Sequence, residues 1–353
     1  MQATEKTNFM KNDGKITTKS LAKQMGISHT TVSNAWNNPE KLSEELREKI
    51  FARAQEVGFQ GPDKLARALR TGQADAIGVI FNDPMSYVFI DRHDINLMRG
   101  IAMECEKQRT NLVLIPLNGE KENHTAPVTT LVDGYILNAT YNNERVIQQA
   151  FGRRIPIVTL DFSLPWYSSV SIDNSRAMRD LCLYLVEKGH RHFGIIAFPS
   201  STAAAGESRL SEPRCGDNDL MLTRVNACQE TLFTQGIPLE QCWLYETQHD
   251  EENGALAAGA LLSAHPEITA LICLSDRFAA GAIQYCLDHH IAIPQQVAVT
   301  GFDNTLPEVQ GIGLTTIAQD AVKKGQLAAQ ILLQKGPVTH CELEYQLISR
   351  ASA

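Results

Sequence analysis

The sequence predicts an α/β protein that carries a small helical domain at its N-terminus. After residue 72, short apolar segments rich in β-branched residues alternate with segments of helical periodicity, which is typical of parallel sheets covered by helices. Before that point, three short helical patterns are separated by turn signals. The charge also differs, because residues 1–75 carry 12 Lys and Arg against 9 Asp and Glu, whereas the remainder carries 20 against 31. Any contact with a polyanion should therefore lie in the N-terminal part.

The first two helical patterns are short and closely spaced. Thr17 or Thr18 can cap the first helix, and Gly26 permits the tight turn that follows it. Ser28 can cap the second helix, which should end at Asn38 because a proline comes next. Two short helices joined by such a turn predict a helix-turn-helix.

A third helix is expected from Ser43 to Gly58, with apolar residues at helical spacing that can pack against the first two helices. Three helices of this size form a common DNA-reading unit, because the second helix of the turn fits the major groove. No acidic residue occurs between Lys15 and Asn38, which suits a surface that faces phosphates. The helix spacing alone is equally compatible with a generic helical bundle.

Two motifs separate these alternatives. The first is Ser28, Thr31, Val32 and Ser33 followed by Asn37, and the second is GPDKLARALRTG at residues 61–72. Together they resemble the lactose-repressor (LacI/GalR) family of bacterial transcription regulators, and the resemblance extends from Lys15 to Ala353. It implies a helix-turn-helix domain over 15–60, a hinge helix and linker over 61–73, and an effector-binding and dimerisation core over 74–353. The residues expected to contact operator DNA are Thr17, Thr18, Ser28, His29, Thr30, Thr31, Ser33, Asn34, Asn37, Leu65, Ala66, Leu69 and Arg70.

The hinge is expected to contact the minor groove. In the family, the matching segment is a helix that folds on operator DNA, where two copies wedge a leucine into the minor groove. Leu69 matches that leucine, Ala66 is small enough for two hinge helices to pair, and Arg70 can meet a phosphate. An ordinary linker helix is the alternative interpretation. Gly61 before the proline and Asp63 after it depart from the family pattern.

The core contains seven apolar segments that predict strands. Seven strands are too many for a single compact α/β lobe, so two similar lobes are expected. A ligand should bind between them, near the carboxyl ends of the strands. The segments are AIGVIF, NLVLIP, DGYILNA, IPIVTLDF, HFGIIAF, TALICLSD and VAVTGFD. The resemblance implies two Rossmann-like α/β lobes of the periplasmic-binding-protein type. The first lobe should comprise 74–172 and 319–347 and the second 173–318 and 348–353, with crossings near 171–173, 318–320 and 347–349.

The resemblance also assigns effector-binding residues, which are Phe89, Asp161, Arg224, His249, Ser275 and Asp303. Two carboxylates and an arginine suit a polyhydroxy ligand, because each can bind adjacent hydroxyls by paired hydrogen bonds. A sugar or sugar derivative is therefore the expected small-molecule effector, with a nucleoside-like compound as the alternative. Structural interpretations remain, since Asp303 can cap a turn, His249 can be a surface side chain and Phe89 can belong to the core.

Two connections in the core have unusual lengths. Residues 199–222 are longer than a typical connection and follow the carboxyl end of a strand, so they should border the effector cavity. Residues 118–131 are shorter than the family counterpart, which predicts a lost or reduced helix on the first lobe. The family uses a leucine-repeat tail for tetramers, and residues up to 353 show none, so a homodimer on a pseudo-palindromic operator is expected.

The sequence lacks the motifs that several functional classes require. The sequence has no G-x-S-x-G elbow, no G-x-x-x-x-G-K-[ST] loop and no G-x-G-x-x-G after the first strand, so we expect neither an enzyme nor a cofactor. The eight cysteines form no C-x-x-C pair, and adjacent histidines cannot readily share one ion, so no metal site is expected. The N-terminus lacks the apolar stretch of a signal peptide, and no segment is apolar for long enough to span a membrane, so a cytoplasmic location is expected.

Overall fold

The computed structural model describes residues 16–62, 72–81, 83–116, 131–138, 155–201, 205–216 and 218–353. The chain divides into two compact units, Met1–Ala74 and Asp75–Ala353. The predicted hinge residues Leu65, Ala66, Leu69 and Arg70 lie outside the described residues, as does nearly all of the shortened connection at 118–131.

The N-terminal unit consists of three helices, as predicted. They are α1 (Thr18–Met25), α2 (His29–Asn37) and α3 (Glu44–Glu56), with a 3-10 turn at Pro39–Lys41. Thr17 and Ser20 cap α1 reciprocally, because each side chain accepts a hydrogen bond from the other residue's backbone N–H. Gly26 ends the helix with a φ of 67°, a left-handed conformation that glycine adopts without strain.

An apolar cluster holds the three helices together. Leu21 of α1, Val32 of α2 and Ile50 of α3 are fully buried in it. Trp36 packs edge-on against the rings of Phe51 and Phe59, with centroid distances of 4.9 and 5.4 Å. The helix-turn-helix is thus a packed unit, with Trp36 among its core residues.

The second unit contains fifteen strands among the described residues. They are β1 (Ala76–Phe81), β2 (Asn111–Pro116), β3 (Tyr135–Asn138), β4 (Ile157–Leu160), β5 (Ser168–Ile172), β6 (Phe193–Ala197), β7 (Gly206–Arg209), β8 (Trp243–Glu246), β9 (Ala270–Cys273), β10 (Ala298–Asp303), β11 (Glu308–Val309), β12 (Ile312–Gly313), β13 (Thr315–Gln319), β14 (His340–Leu343) and β15 (Tyr345–Ile348). All seven predicted strand segments form strands.

Seven helices accompany these strands in the described part of the second unit. They are α4 (Met85–Val88), α5 (Arg92–Gln108), α6 (Asn174–Glu187), α7 (Asp219–Thr234), α8 (Glu251–Ala264), α9 (Asp276–Asp288) and α10 (Ala321–Gln334). Short polar side chains cap α5 to α10, each accepting a hydrogen bond from the backbone N–H three residues on: Asp91, Asp173, Asn218, Asp250, Ser275 and Asp320. No described helix is both long and apolar enough to cross a membrane.

The strands form two larger sheets, and each sheet defines one lobe. The first sheet has the order β14-β5-β4-β3-β1-β2 with every pair parallel. The second has the order β15-β13-β10-β9-β6-β8-β7, and only its two outermost strands pair antiparallel. This is the predicted architecture of two parallel α/β lobes.

The chain crosses between the lobes three times. The first two crossings follow β5 and β13, at the predicted positions. The third lies at Glu344, so the prediction of a crossing at 347–349 is wrong. Residues 345–347 belong to the second lobe, because β15 pairs with β13 from Tyr345 onwards. Both β14 and β15 are short edge strands of mixed polarity, so the sequence pattern does not distinguish their sheets.

Two of the strands that the sequence analysis missed are more polar than those it found. β5 reads SSVSI, and β7 reads GESR with two exposed residues at an antiparallel edge. β7 lies inside the long connection at 199–222, so part of that connection is sheet. Such polar strands escape detection because their stability comes from pairing with neighbouring strands, which composition does not record.

Candidate functional site

A cavity of about 570 Å³ lies between the two lobes, at the carboxyl ends of their strands. Four of the six predicted effector residues line it, namely Asp161, Arg224, His249 and Asp303. Pro199 and the segment Asn218 to Leu220 also line it, as predicted for the long connection. The cavity therefore occupies the place that parallel α/β lobes commonly offer to a ligand.

Arg224 is the anchored cation of the cavity. It lies on α7 with only 2% of its surface exposed. Its Nε donates to Oδ1 of Asn174 at 3.0 Å, and Nη1 donates to the carbonyl oxygen of Leu274 at 2.9 Å. The guanidinium stacks 3.6 Å from the ring centroid of Phe302. Burial lowers the pKa of Arg224, but the carboxylates nearby, chiefly Asp303, oppose that shift.

Asp303 is the last residue of β10 and points into the cavity from the second lobe. Its φ is 106°, which is unusual for a residue with a Cβ. Its Oδ1 accepts a hydrogen bond from Nε2 of Gln319 at 2.6 Å and lies 3.7 Å from Nδ1 of His93. Burial raises the pKa of Asp303, and the charges of His93 and Arg224 counteract that rise.

Asp161 follows β4 and faces the cavity from the first lobe. Its φ is also positive, at 60°. Both carboxylate oxygens accept hydrogen bonds from Nζ of Lys324, at 2.6 and 2.7 Å. Burial alone would raise the pKa of Asp161, but the Lys324 ammonium brings it below its usual value. The sequence analysis did not find Lys324, because nothing in the pattern of α10 distinguishes it from a surface lysine.

His249 bridges the two lobes, so the alternative that it is a surface side chain is wrong. Its Nε2 lies 2.7 Å from Oγ of Ser275, and its Nδ1 contacts the hydroxyl of Tyr87 from the first lobe. The ring also packs against Phe198 and Phe278. Burial lowers the pKa of His249 to about 4, so the ring is neutral at pH 7.

The hydrogen bonds define one proton arrangement along this bridge. The Tyr87 hydroxyl donates to Oδ2 of Asp91 at 3.2 Å, so it must accept from Nδ1 of His249, which then carries the ring proton. In the neutral ring Nε2 is the acceptor, so Oγ of Ser275 donates to it while accepting the backbone N–H of Phe278. Ser275 is buried at the N-terminus of α9, where it contacts His249 and does not line the cavity.

Phe89 is the predicted effector residue that the structure does not bring to the cavity. Its surface is 61% exposed, so it is neither cavity wall nor core. It follows the last turn of the short helix α4, and Tyr87, two residues earlier, lines the cavity instead. The sequence did not predict α4, and two residues along a helix turn a side chain to another face.

Three carboxylates of the first lobe also line the cavity, and the sequence analysis missed them. Burial, with the charge of Asp91 adding to it, raises the pKa of Asp83 to about 6. Burial and the charge of Asp91 also raise the pKa of Asp94, whose Oδ1 accepts from Nδ2 of Asn138 at 3.0 Å. Burial would raise the pKa of Asp91, but His249, His93 and a backbone N–H bring it lower. Their position after the carboxyl end of β1 was the available signal.

Asp276 has a structural role, although it adjoins the site. It is 1% exposed, and its carboxylate accepts hydrogen bonds from the backbone N–H groups of Thr305 and Leu306 and from the hydroxyl of Thr316. These contacts hold the turn that follows Asp303. Among the described residues, no group of His, Cys, Asp and Glu side chains is arranged to hold a metal ion.

The predicted DNA-contacting face of the N-terminal unit is partly exposed. Ser28, His29 and Thr30 are exposed at the start of α2. Asn37 donates to the backbone oxygen and hydroxyl of Ser33. The other predicted residues of this unit lie on or just before α1 and α2, and they are Thr17, Thr18, Thr31 and Asn34.

Comparison with known proteins places these features in context. Residues 17–61 match the family "Bacterial regulatory proteins, lacI family", and residues 183–353 match the "Periplasmic binding protein-like domain". The chain is 34% identical over 332 residues to the HTH-type transcriptional regulator Rv3575c of Mycobacterium tuberculosis, covering 91% of each protein. It is 27% identical over 330 residues to the ribose operon repressor of Haemophilus influenzae, covering 90% of this chain and 91% of that protein.

A solved structure shares the fold across nearly the whole chain. The lac repressor dimer bound to operator and the anti-inducer ONPF superposes with a TM-score of 0.76 at 21% identity. The superposition covers 96% of this chain and 98% of that one. The two proteins therefore share their architecture from the helix-turn-helix to the two-lobed core.

Proposed function

The chain belongs to the lacI family of bacterial regulatory proteins, and we propose that it is a repressor that binds a pseudo-palindromic operator as a homodimer and responds to a small polar effector. The relatives are transcriptional regulators, which confirms the expectation that this chain is not an enzyme. The proposal concerns its partners, its effector and the sign of regulation.

The observation that carries the effector proposal is the convergence of Asp161, Asp303 and Arg224 on one cavity between the lobes. Carboxylate oxygens accept hydrogen bonds from hydroxyl groups and a guanidinium donates to them, so a sugar or sugar derivative suits this cavity. A volume of about 570 Å³ falls within the range of small-molecule sites. The ribose operon repressor among the relatives supports the same class of ligand.

The exposed start of α2 supports operator binding. His29 and Thr30 carry hydrogen-bonding groups that can reach base edges, and the exposed Lys19 and Lys23 on α1 can meet phosphates. One such helix reads only a half-site, so a symmetric dimer is needed for a pseudo-palindrome. Effector binding between the lobes would change operator affinity if it favours one lobe arrangement over another.

Operator binding can be tested with the double variant Thr30→Ala, Asn34→Ala. Each bidentate base contact contributes about 1–3 kcal/mol of discrimination, so the affinity for DNA upstream of the chain's own gene should fall by about tenfold or more. Gln55→Ala, an exposed neutral change on α3, is the matched control and should bind normally. Unchanged binding of the double variant in a gel-shift assay would contradict the proposed docking of α2.

The effector can be sought by thermal unfolding with D-ribose, cellobiose, sucrose and adenosine. A compound that binds the folded core and not the unfolded chain raises the melting temperature, because it adds RT ln(1 + [L]/Kd) to the free energy of unfolding. The increase should vanish in Asp303→Ala and persist in Glu230→Gln, an exposed change on the helix that carries Arg224. An equal increase in Asp303→Ala would place the binding site elsewhere.

A further inference from the structure

A buried lysine joins two carboxylates that the cavity offers to a ligand. Lys324 lies on α10 and has no exposed surface. Its Nζ donates to both oxygens of Asp161, at 2.6 and 2.7 Å, and to Oε1 of Gln319 at 2.5 Å. An ammonium group has three donors, so all of them are engaged. Lys324 does not line the cavity itself, and any effect that it has on a ligand must pass through these partners.

The ammonium determines which way the Gln319 amide points. A lysine can donate hydrogen bonds but cannot accept them, so it must face the amide oxygen of Gln319. The amide NH2 group then faces the opposite way, where it donates to Oδ1 of Asp303 at 2.6 Å. With Oδ1 occupied in this way, Oδ2 is the oxygen that Asp303 offers to a ligand.

The position of Gln319 lets this chain of hydrogen bonds connect the lobes. Asp161 follows β4 of the first lobe and Asp303 ends β10 of the second, whereas Gln319 is the last residue of β13, at a crossing. The helix α10 that carries Lys324 is held closely against α5. A Cβ added to Gly100 would lie 1.9 Å from the carbonyl oxygen of Val322, so the two backbones are in contact there.

The burial of Lys324 makes its contacts with Asp161 and Gln319 depend on one another. A buried ammonium is tolerated only when its charge is paired and its donors are satisfied, and Asp161 and Gln319 meet both conditions here. Without the lysine, Oε1 of Gln319 and the Asp161 carboxylate would lose the donor that they share, and turning the amide over so that its NH2 group faced Asp161 would point its oxygen at Asp303. The loss of Lys324 would therefore disturb Asp303 as well as Asp161.

We propose that Lys324 is a positioning residue of the effector cavity. It orients Gln319 so that Asp303 presents one carboxylate oxygen to a ligand, and it holds the Asp161 carboxylate in place by two hydrogen bonds. This inference rests on the proposed function, because it takes the cavity as the effector site. It assigns a role in ligand binding to a residue that does not touch the ligand.

The orientation of Gln319 can be measured without a ligand. In protein labelled with 15N at glutamine side chains, the Gln319 amide signal is the one that disappears in Gln319→Met. Its hydrogen-bonded proton should resonate downfield, and in Lys324→Met it should move toward the position of exposed glutamines and exchange faster with water. Lys323→Met, an exposed change one residue earlier on α10, is the matched control and should leave the signal in place.

A second variant keeps the test valid if Lys324→Met does not fold. That change leaves the Asp161 carboxylate buried without a counter-charge, whereas Lys324→Met with Asp161→Leu removes both charges and introduces no new donor. The double variant still lacks the donor that orients Gln319, so its amide signal should move in the same way. A Gln319 signal that stays in place in the folded variant would overturn the proposal.

The effect of Lys324 on ligand affinity can be measured by calorimetry, with D-ribose, cellobiose and adenosine as probes. Loss of an oriented charged hydrogen bond should weaken the binding of whichever probe the wild type binds by about tenfold or more in Lys324→Met. Lys323→Met should bind like wild type, and a matching affinity for Lys324→Met would overturn the positioning role. If the Gln319 signal moves but the wild type binds none of the probes, the orientation by Lys324 stands and the proposed effector class fails instead.

Discussion

The two walls of the cavity differ in how their charged groups are held. On the second lobe, Arg224 is fixed by Asn174, by a backbone carbonyl and by an aromatic ring. On the first lobe, Asp161 is paired with Lys324, but Asp83 and Asp94 have raised pKa values because their burial is not offset by a cation. Arg224 of the second wall is therefore fixed before a ligand arrives, whereas the first wall also carries carboxyl groups whose burial a ligand could compensate.

Removing the charge of Arg224 should have the largest effect on the unfolding free energy. Arg224→Met removes two hydrogen bonds from a charged donor and leaves buried acceptors on Asn174 and Leu274 without a partner, which should cost about 2–4 kcal/mol of unfolding free energy. Urea unfolding measures this loss. Arg179→Met, on the exposed face of α6, is the control and should leave the midpoint nearly unchanged. An unaltered midpoint for Arg224→Met would show that the second wall is not organised as described.

The contribution of Asp83, on the first wall, to the unfolding free energy should depend on pH. The pKa of Asp83 is about 6 in the folded chain against a usual 3.8, so folding takes up a proton between these values. The stability from this group is therefore fully present below pH 4 and lost as the pH rises through 6. Asp83→Asn should raise the unfolding free energy at pH 7 by about 1–2 kcal/mol and leave it unchanged at pH 3.

Urea unfolding across pH 3 to 7 checks this prediction for Asp83→Asn. Asp288→Asn, an exposed change at the end of α9, should follow the wild type at every pH. A constant difference between Asp83→Asn and wild type over the whole range would mean that the Asp83 carboxyl titrates normally. The contrast between the two walls would then be lost.

Loss of the hydrogen bond between Tyr87 and His249, which bridges the two walls, should have the smallest effect on the unfolding free energy. Tyr87→Phe removes the hydroxyl that links Nδ1 of His249 to Asp91, which should cost about 1 kcal/mol of unfolding free energy. The Nδ1–H signal of His249 should also lose its protection from exchange with solvent. Tyr245→Phe on β8 is the matched control. Unchanged protection of His249 in Tyr87→Phe would show that the hydroxyl bridge does not persist in solution.

Much of the fold was predictable because its signals are local. The caps at Thr17, Ser28 and Ser43, with Gly26 between the first two helices, predicted three helices at their observed positions. Seven apolar runs predicted seven strands, since strands covered by helices on both faces are typically near-continuous apolar runs. The polar edge strands, such as β7, were missed because pairing rather than composition stabilises them.

The candidate site was predictable where a residue follows an apolar strand. Asp161 and Asp303 both occupy such positions, and the family resemblance assigned them together with Arg224 and His249, which also line the cavity. Phe89 shows the limit of this reasoning, because the orientation of its short helix depends on packing that no local pattern records.

The amino-acid sequence by itself determined the three capped helices, the apolar strands and the polar residues at their carboxyl ends. Only the tertiary structure decided which distant residues meet. Lys324 lies 163 residues from Asp161, and Tyr87 lies 162 from His249, yet each pair is in contact. The physical reason is that caps and periodicity act within a few residues, whereas the pairing of a buried charge depends on how helices and sheets pack.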